Sequence, residues 1–161
     1  MLEEQALDPA VHDRQAFDCG VPALNEYLHR FAEQHRRKGI SAAYVLVDSS
    51  APSSILGYYT LSAAEVDVER VTDADRKCLP RYPVPCFRMG RLACQADQRG
   101  KGLGKLLVGC AVDRCLKARQ QVAAFALIVD AKDEAAKGFY EHFGFKPLRD
   151  AGLTLYLPLG R

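Results

Sequence analysis

Residues 98–105, QRGKGLGK, place three glycines at alternate positions and two lysines directly before an apolar run. Glycine inside a helix costs about 1 kcal/mol relative to alanine, so this pattern beside a predicted helix indicates backbone that must approach another molecule. The first turn of a helix offers unpaired N–H groups, and the helix dipole adds partial positive charge. The stretch therefore predicts a phosphate-binding turn. A tight turn that binds nothing is the alternative interpretation.

Two common nucleotide motifs are excluded by spacing. A Walker loop requires Ser or Thr after Gly-Lys, but Leu106 follows Gly104-Lys105. A Rossmann fingerprint requires G-x-G-x-x-G and an acidic residue about 20 positions later. Here the glycine spacing is G-x-G-x-G, and Asp130 lies about 26 positions beyond Gly104.

Basic residues are locally concentrated although the formal net charge is only +2. One cluster is Arg36-Arg37-Lys38, and no acidic residue occurs between Asp75 and Asp97. That interval contains five basic residues: Arg76, Lys77, Arg81, Arg88 and Arg91. Such patches predict binding of a polyanion, with ordinary solvated surface charge as the alternative. We expect the first cluster and the basic residues between 76 and 91 to hold a nucleic acid. The site candidates taken from them are Arg36, Arg37, Lys38, Arg88 and Arg91.

Length and composition predict one globular domain with a substantial core, because 48% of the 161 residues are hydrophobic. The six cysteines contain no C-x-x-C pair, and the histidines do not fall at zinc-ligand spacing. We therefore expect core thiols and no metal site. No N-terminal signal or long apolar run is present, which predicts a reduced, cytoplasmic protein without membrane spans.

The predicted elements begin with antiparallel hairpins and continue with strand–helix units, which indicates an α/β or α+β class with a mixed sheet. Apolar periodicity predicts helices over 22–39, 70–78, 104–119 and 133–142. Strands are predicted over 42–47, 55–68, 87–94, 123–131, 145–148 and 153–157. The prolines of 81–86 predict a loop there.

The glycine stretch resembles a known motif. Arg99, Gly102 and Gly104 match the [QR]-x-x-G-x-[GA] pattern of the GNAT superfamily of acetyl-CoA-dependent N-acetyltransferases. Residues 90–95 (GRLACQ) resemble the family's bulged strand, and 133–145 (DEAAKGFYEHFGF) resemble its N-x-x-A-x-x-[FL]-Y-E-x-x-G-F helix. The resemblance implies a single domain over 1–161. It also implies a mixed twisted sheet of six to seven strands, bulged and splayed at its centre, with about four flanking helices.

By this resemblance the turn holds the pyrophosphate of acetyl-CoA, and the preceding strand pairs with the pantetheine arm. The implied cofactor-binding residues are Leu92, Ala93, Cys94, Arg99, Gly100, Lys101, Gly102, Leu103, Gly104 and Lys105. Asp133 stands where the family often has Asn. It can cap the helix, but a carboxylate cannot donate a hydrogen bond to the cofactor.

The resemblance assigns Tyr140 as the general acid that protonates the leaving thiolate, since a phenol of pKa about 10 is protonated at neutral pH. A backbone N–H near Ala93 or Cys94 would polarise the thioester carbonyl. The alternative is that Tyr140 is a core aromatic, although its phenylalanine neighbours are expected to supply that core. No cysteine matches a nucleophile, so we expect direct transfer in a ternary complex. Glu65 is a candidate base acting through water.

Residues 17–28 (FDCGVPALNEYL) resemble the N-terminal signature of bacterial GNAT toxins of type II toxin–antitoxin systems. This implies acetylation of the α-amine of aminoacyl-tRNA, a ribbon-helix-helix antitoxin and a homodimer. At pH 7 about one α-amine in ten is neutral, against about one lysine in 2,500, so this substrate needs little help in losing a proton. The alternatives are an enzyme for a small amine, peptide or protein N-terminus, and an inactive cofactor-binding module.

Overall fold

The computed structural model of the protein describes residues 1–160, which form seven strands and four helices. The strands are β1 (Leu2–Ala6), β2 (Ala42–Asp48), β3 (Gly57–Val66), β4 (Val84–Cys94), β5 (Ala126–Asp130), β6 (Lys146–Leu148) and β7 (Ala151–Pro158). The first helix comprises α1 (Pro22–Glu26), a π-helical turn (Tyr27–Phe31) and α2 (Ala32–Arg37). The remaining helices are α3 (Asp73–Arg76), α4 (Leu103–Ala118) and α5 (Glu134–His142). Short 3₁₀ turns cover Val68–Arg70 and Ala96–Gln98.

The strands form one mixed sheet in the order β1-β2-β3-β4-β5-β7-β6. β4 and β5 are parallel, whereas β1–β2, β2–β3, β5–β7 and β6–β7 are antiparallel. This confirms the predicted mixed α/β class. The bulge and splay of the central strands stay predictions, because the register shift recorded in these pairings lies between Pro147 and Leu148.

The chain divides into two compact units, each with its own core. The first comprises Met1–Ser62 and Gly90–Ala111, and the second comprises Ala63–Met89 and the residues from Val112 onward. Phe17, Leu28 and Tyr58 belong to the core of the first unit. Val71 and Tyr156 belong to the core of the second. The single domain over 1–161 stays a prediction, and its last residue lies outside the described part of the chain.

The first helix begins at Pro22, as predicted, and a glycine with φ +72° follows its end at Gly39. The spacing of Leu24, Tyr27, Leu28 and Phe31 predicts one apolar face on this helix. That prediction is wrong at Phe31, which is 38% exposed, whereas Ala32 is fully buried. The π-helical turn explains the difference. The Ala32 N–H donates to the carbonyl of Tyr27 five residues earlier, and the extra residue shifts the buried face by one position.

Two further elements depart from the sequence prediction. β1 (sequence LEEQA) pairs with β2 at the edge of the sheet, where its exposed polar side chains hid the strand pattern. The predicted loop over 81–86 is wrong from Val84 onward, because β4 begins there. Pro85 is tolerated since it is exposed and supplies only its carbonyl, which accepts the Phe125 N–H at 2.8 Å.

Among residues 1–160, no helix is both long and apolar enough to cross a bilayer. The same residues contain no group of three or more His, Cys, Asp or Glu side chains arranged to hold a metal ion.

A polar network centred on Asp75 ties α3 to β6 and β7 within the second unit. Its carboxylate accepts hydrogen bonds from the Tyr156 hydroxyl at 2.6 Å and from the Lys146 ammonium at 3.0 Å. The Tyr156 oxygen also accepts the Thr72 N–H at 3.0 Å. Burial acts to raise the pKa of Asp75, but these hydrogen bonds outweigh it and the pKa lies below its ordinary value. Asp75 therefore stabilises the fold in its ionised form.

Replacing Tyr156 by Phe should lower the free energy of unfolding at pH 7 by about 1.5–3 kcal/mol, because a hydrogen bond to a charged group is lost. A depressed carboxylate pKa gives stability that is present above the unfolded-state pKa and lost as pH falls through the folded-state pKa. The difference from the unsubstituted protein should therefore shrink as the pH is lowered from 7 to below about 3.9, the ordinary pKa of an aspartate. Urea denaturation across this pH range measures it.

Tyr58→Phe is the matched control, because the Tyr58 hydroxyl donates to the Leu24 carbonyl at 2.7 Å and not to a carboxylate. Its cost should not depend on pH in this range. Equal pH dependence in the two variants would contradict the role assigned to Asp75.

Candidate active site

The glycine turn adopts a backbone that only glycine forms easily. Gly100 and Gly102 have φ values of +80° and +75°, in the left-handed region that disfavours side chains. A Cβ at either position would meet no atom within 4 Å, so the space beside both residues is open. The turn thus leaves room for a ligand to lie against its backbone.

The turn leads directly into the first turn of α4. The Leu106 N–H donates to the Gly102 carbonyl at 3.1 Å and is the first to reach back by four residues. The N–H groups of Leu103, Gly104 and Lys105 precede this hydrogen-bond ladder and have no acceptor within the helix. Lys101 and Lys105 are exposed beside them. Backbone donors, a helix dipole and two lysines are the features that an anion site requires, and the anion site itself stays a prediction.

Buried leucines fix the start of α4, since Leu103 and Leu107 are almost completely buried. Gly57 on β3 allows the close packing of this region. A Cβ at Gly57 would lie 2.8 Å from Leu107 Cδ1 and 3.0 Å from the Ala93 carbonyl oxygen. The end of β4, which contains the candidate residues Leu92, Ala93 and Cys94, therefore depends on a glycine that sequence reasoning missed.

The segment over 17–28 braces the turn from the N-terminal side. The Ala96 N–H donates to the Asp18 carbonyl at 2.8 Å, and the Asp18 N–H donates to Gln95 Oε1 at 3.0 Å. The Arg99 guanidinium donates to the Cys19 carbonyl at 2.8 Å. These hydrogen bonds attach both ends of residues 95–99 to the N-terminal segment.

The bracing segment is itself held in shape by Asp18 and Asn25. The Asp18 carboxylate accepts the Gly20 N–H at 2.8 Å and the Asn25 amide at 2.9 Å, and Asn25 Oδ1 accepts the Cys19 N–H at 2.8 Å. The Gly20 and Asn25 hydrogen bonds lower the pKa of Asp18, so it is ionised at neutral pH. The D-C-G-x-P-x-x-N spacing of the sequence was the signal that could have revealed this network.

Burial favours the protonated thiol at Cys94 on β4 and at Cys115 on α4. Burial raises the pKa of Cys94, and it raises that of Cys115 to about 12. Because the thiolate and not the thiol is the nucleophile, neither residue suits covalent catalysis at neutral pH. This agrees with the expectation of direct acetyl transfer.

Tyr140 lies on α5 in the second unit and is only 6% exposed. Its ring packs edge-on against Phe139 and Phe145 at centroid distances of 5.3 and 5.6 Å. The expectation that the neighbouring phenylalanines supply the core instead is wrong in part, because Phe139 and Phe143 are half-buried while Tyr140 is buried. Tyr140 therefore has a packing role in the structure, and its role as a general acid stays a prediction.

α5 begins as predicted at Asp133, whose carboxylate accepts the Ala136 N–H at 2.8 Å as an N-cap. The helix ends before Gly144, which has φ +95° and donates its N–H to the Glu141 carbonyl at 2.9 Å. The cap and the glycine fix the two ends of the helix that carries Tyr140.

The basic candidates at the end of the first helix differ in their pairing. Arg36 donates from Nε to Glu33 Oε2 at 2.9 Å, and the Arg37 Nε lies 3.9 Å from the same carboxylate. The Arg36 hydrogen bond lowers the pKa of Glu33. Lys38 is exposed and makes no ion pair with any residue of 1–160.

The two basic candidates on β4 are also engaged within the protein. Arg88 pairs with Asp130 at 2.6 Å inside the second unit. The Arg91 guanidinium lies 3.5 Å from the centroid of the Tyr27 ring in the first unit, a close cation–π contact. Glu65, the candidate base, is an exposed residue of β3.

Comparison with known proteins shows the family of the chain. Residues 53–147 match the acetyltransferase (GNAT) domain family. The chain is also similar to a "tRNA-acetylating toxin" of Mycobacterium tuberculosis (strain ATCC 25618 / H37Rv). The two are 31% identical over 134 residues, which is 83% of this chain and 78% of the relative.

Solved structures agree with the fold. AtaT complexed with acetyl-methionyl-tRNAfMet is 32% identical with a TM-score of 0.91, covering 98% of this chain and 95% of that one. A Tyr-to-Phe variant of AtaT bound to the C-terminus of the antitoxin AtaR and acetyl-CoA is 31% identical with a TM-score of 0.83. That match covers 98% and 93% of the two chains. The protein described here belongs to the GNAT acetyltransferase family.

Proposed function

We propose that this protein is the toxin of a type II toxin–antitoxin system and acetylates the α-amine of aminoacyl-tRNA, which blocks translation. Two similarities carry the proposal: one to a protein named a tRNA-acetylating toxin, over 83% of this chain, and one to AtaT solved with acetyl-methionyl-tRNAfMet, over 98% of it. The N-terminal signature over 17–28 is part of this similarity. This segment holds the glycine turn by three hydrogen bonds, so its resemblance to the toxin subgroup concerns the site itself.

Acetyl-CoA fits the glycine turn as the acetyl donor. The positive φ values of Gly100 and Gly102, the open space beside them and the unpaired N–H groups of the first helical turn suit a pyrophosphate. Lys101 and Lys105 add attraction for its charge. When bound, acetyl-CoA supplies the activated thioester. The backbone at Leu92, Ala93 and Cys94 is proposed to hold the arm that carries it.

Two proton transfers accompany the reaction. The attacking α-amine must be neutral, and about a tenth of such amines are neutral at pH 7 without help. In our proposal, Tyr140 holds on its hydroxyl the proton that the leaving sulfur requires. The cap and the glycine at the two ends of α5 and the packing of the ring against Phe139 and Phe145 support this role, because they limit the orientation of the ring.

The proposal extends to partners and location. A toxin of this kind is expected to bind a ribbon-helix-helix antitoxin, to form a homodimer and to act in the cytoplasm, where charged tRNA is used. Support comes from the AtaT variant that was solved with the C-terminus of its antitoxin. A small antitoxin gene beside the coding sequence would add to it.

Gly102→Asp should weaken acetyl-CoA binding at least tenfold, or about 1.4 kcal/mol, because a carboxylate would project where the pyrophosphate lies. Isothermal titration calorimetry measures the change, with circular dichroism as the check on folding.

Gly102→Asn is the matched control. Asparagine has the same shape as aspartate and tolerates positive φ, so it reproduces the backbone strain without the charge. Its affinity should lie well above that of Gly102→Asp. If the two variants bound acetyl-CoA with equal affinity, the pyrophosphate could not lie at this turn.

Tyr140→Phe should lower the turnover rate by about 10²-fold or more while leaving acetyl-CoA affinity unchanged, because the ring packing is kept and only the proton donor is lost. Single-turnover acetylation of charged tRNA measures the effect. Tyr156→Phe, which removes a buried phenol hydroxyl elsewhere in the same unit, should keep the rate at temperatures below its unfolding transition. If the Tyr140→Phe variant kept most of its activity, Tyr140 would have a packing role only.

The acceptor is identified by comparing substrates at equal amine concentration: charged tRNA, uncharged tRNA, free amino acids, polyamines and a lysine peptide. Only charged tRNA should be acetylated rapidly, and its apparent affinity should fall steeply with salt because phosphate contacts release counterions. If small amines were acetylated as fast as charged tRNA, and without salt sensitivity, the proposed toxin function would be contradicted. The protein would then be an acetyltransferase for small amines.

A further inference from the structure

A large open cavity lies in the second unit and contains none of the residues assigned to acetyl-CoA or to proton transfer. Its volume is about 920 Å³, and residues 67–70, 81–83 and 149–150 line it together with Arg76. A neighbouring cavity of about 470 Å³ shares Arg76 and Arg81 and adds Lys77. The two cavities therefore meet at a pair of arginines.

The arginines of the larger cavity fall into two classes. Arg70 pairs with Asp150 at 2.9 Å and Arg149 pairs with Asp73 at 3.0 Å, so these two hold the cavity wall together. Arg76 and Arg81 have no carboxylate within 4.0 Å among residues 1–160, and the same holds for Lys77. All three of these side chains are exposed. Their charge is available to a ligand.

The surrounding backbone holds these cations in place. Arg76 ends α3, whose Asp75 is bonded to Tyr156 and Lys146. Thr72 caps the same helix by accepting the Asp75 N–H. Pro80 and Pro83 fix φ on either side of Arg81 and Tyr82, so this short segment has little freedom. Binding there would cost little conformational entropy.

Tyr82 supplies a flat apolar surface at the cavity. Its side chain is 65% exposed, although a tyrosine ring gains much from burial. An exposed aromatic ring next to unpaired arginines is the arrangement by which proteins bind unpaired nucleotides, with bases stacked on the ring and phosphates on the cations.

The acidic residues at the cavity discriminate between polyanions. Asp67 and Glu69 line the same cavity as Arg76 and Arg81. They would repel an acidic peptide, whose carboxylates are only acceptors at neutral pH. RNA presents hydrogen-bond donors as well, in its 2′-hydroxyl and base amino groups, and these suit carboxylate acceptors.

We propose that this surface, the 76–82 site, binds a single-stranded segment of the RNA substrate. Arg76, Lys77 and Arg81 contact its phosphates, and Tyr82 stacks on a base. The inference rests on the proposed function, because it assumes that the substrate is an RNA. It assigns the main phosphate contacts to residues other than Arg36, Arg88 and Arg91, which are engaged within the protein.

The test is equilibrium binding of fluorescein-labelled uncharged tRNA and of a single-stranded RNA oligonucleotide, measured by anisotropy between 50 and 200 mM salt. The double variant Arg76→Ala/Arg81→Ala should lose at least tenfold in affinity for both. Its salt slope should become shallower by about 1.4, since each single-strand phosphate contact contributes about 0.7. On charged tRNA the KM should rise while kcat and acetyl-CoA affinity stay unchanged.

Lys117→Ala/Lys132→Ala is the control for the loss of two positive charges, because it removes two exposed cations of the same unit that do not line the cavity. Of these, Lys117 pairs with Asp113 at 2.9 Å. It should bind RNA like the unsubstituted protein. Tyr82→Phe should keep the affinity for the oligonucleotide, whereas Tyr82→Ala should lose about tenfold of it with no change in salt slope.

The outcomes separate the two proposals. If the unsubstituted protein binds no RNA, the proposed function fails and the inference with it. If it binds RNA with steep salt dependence but the cavity variants match the lysine control, the inference alone is overturned. Competition by a poly-glutamate peptide at lower concentration than the oligonucleotide would also overturn it, in favour of a protein partner.

Discussion

A phosphate can reach the amide groups of a helix only where the chain that enters the helix carries no side chains in its path. In this protein that constraint is met by Gly100 and Gly102, both at positive φ and both facing open space. The proposed donors are backbone N–H groups, so their positions depend on the path of the loop and not on any rotamer. Contacts within the first unit fix the path of this loop.

These contacts explain why the N-terminal signature over 17–28 accompanies the glycine motif. Glycine has more accessible backbone conformations than other residues, so a loop that contains several glycines loses more backbone entropy when it is ordered. The hydrogen bonds from residues 95–99 to Asp18 and Cys19 oppose this cost. Arg99 illustrates the point. Its place in the motif suggests a cation for the cofactor, yet its guanidinium donates to a backbone carbonyl of the bracing segment.

Sequence patterns predicted most helices and strands because their apolar periodicity reflects burial that the fold in fact provides. They failed where another constraint replaced periodicity. β1 is an edge strand with polar exposed residues, and Pro85 occupies a strand position that needs no N–H. The π-helical turn moved the buried face from Phe31 to Ala32, a one-residue shift that no simple period contains.

In the site, too, the sequence predicted a local motif but not the contacts between residues that are distant in the chain. The glycine motif specified its own backbone, and the structure has the conformation that the motif requires. A run of basic residues does not specify which of them is free. Arg88 is neutralised by Asp130, 42 positions later in the chain, whereas Arg76 and Arg81, in the same acid-free interval, have no carboxylate partner within residues 1–160. Because ion pairs join residues that are distant in sequence, local charge counts overestimate the charge that a ligand meets.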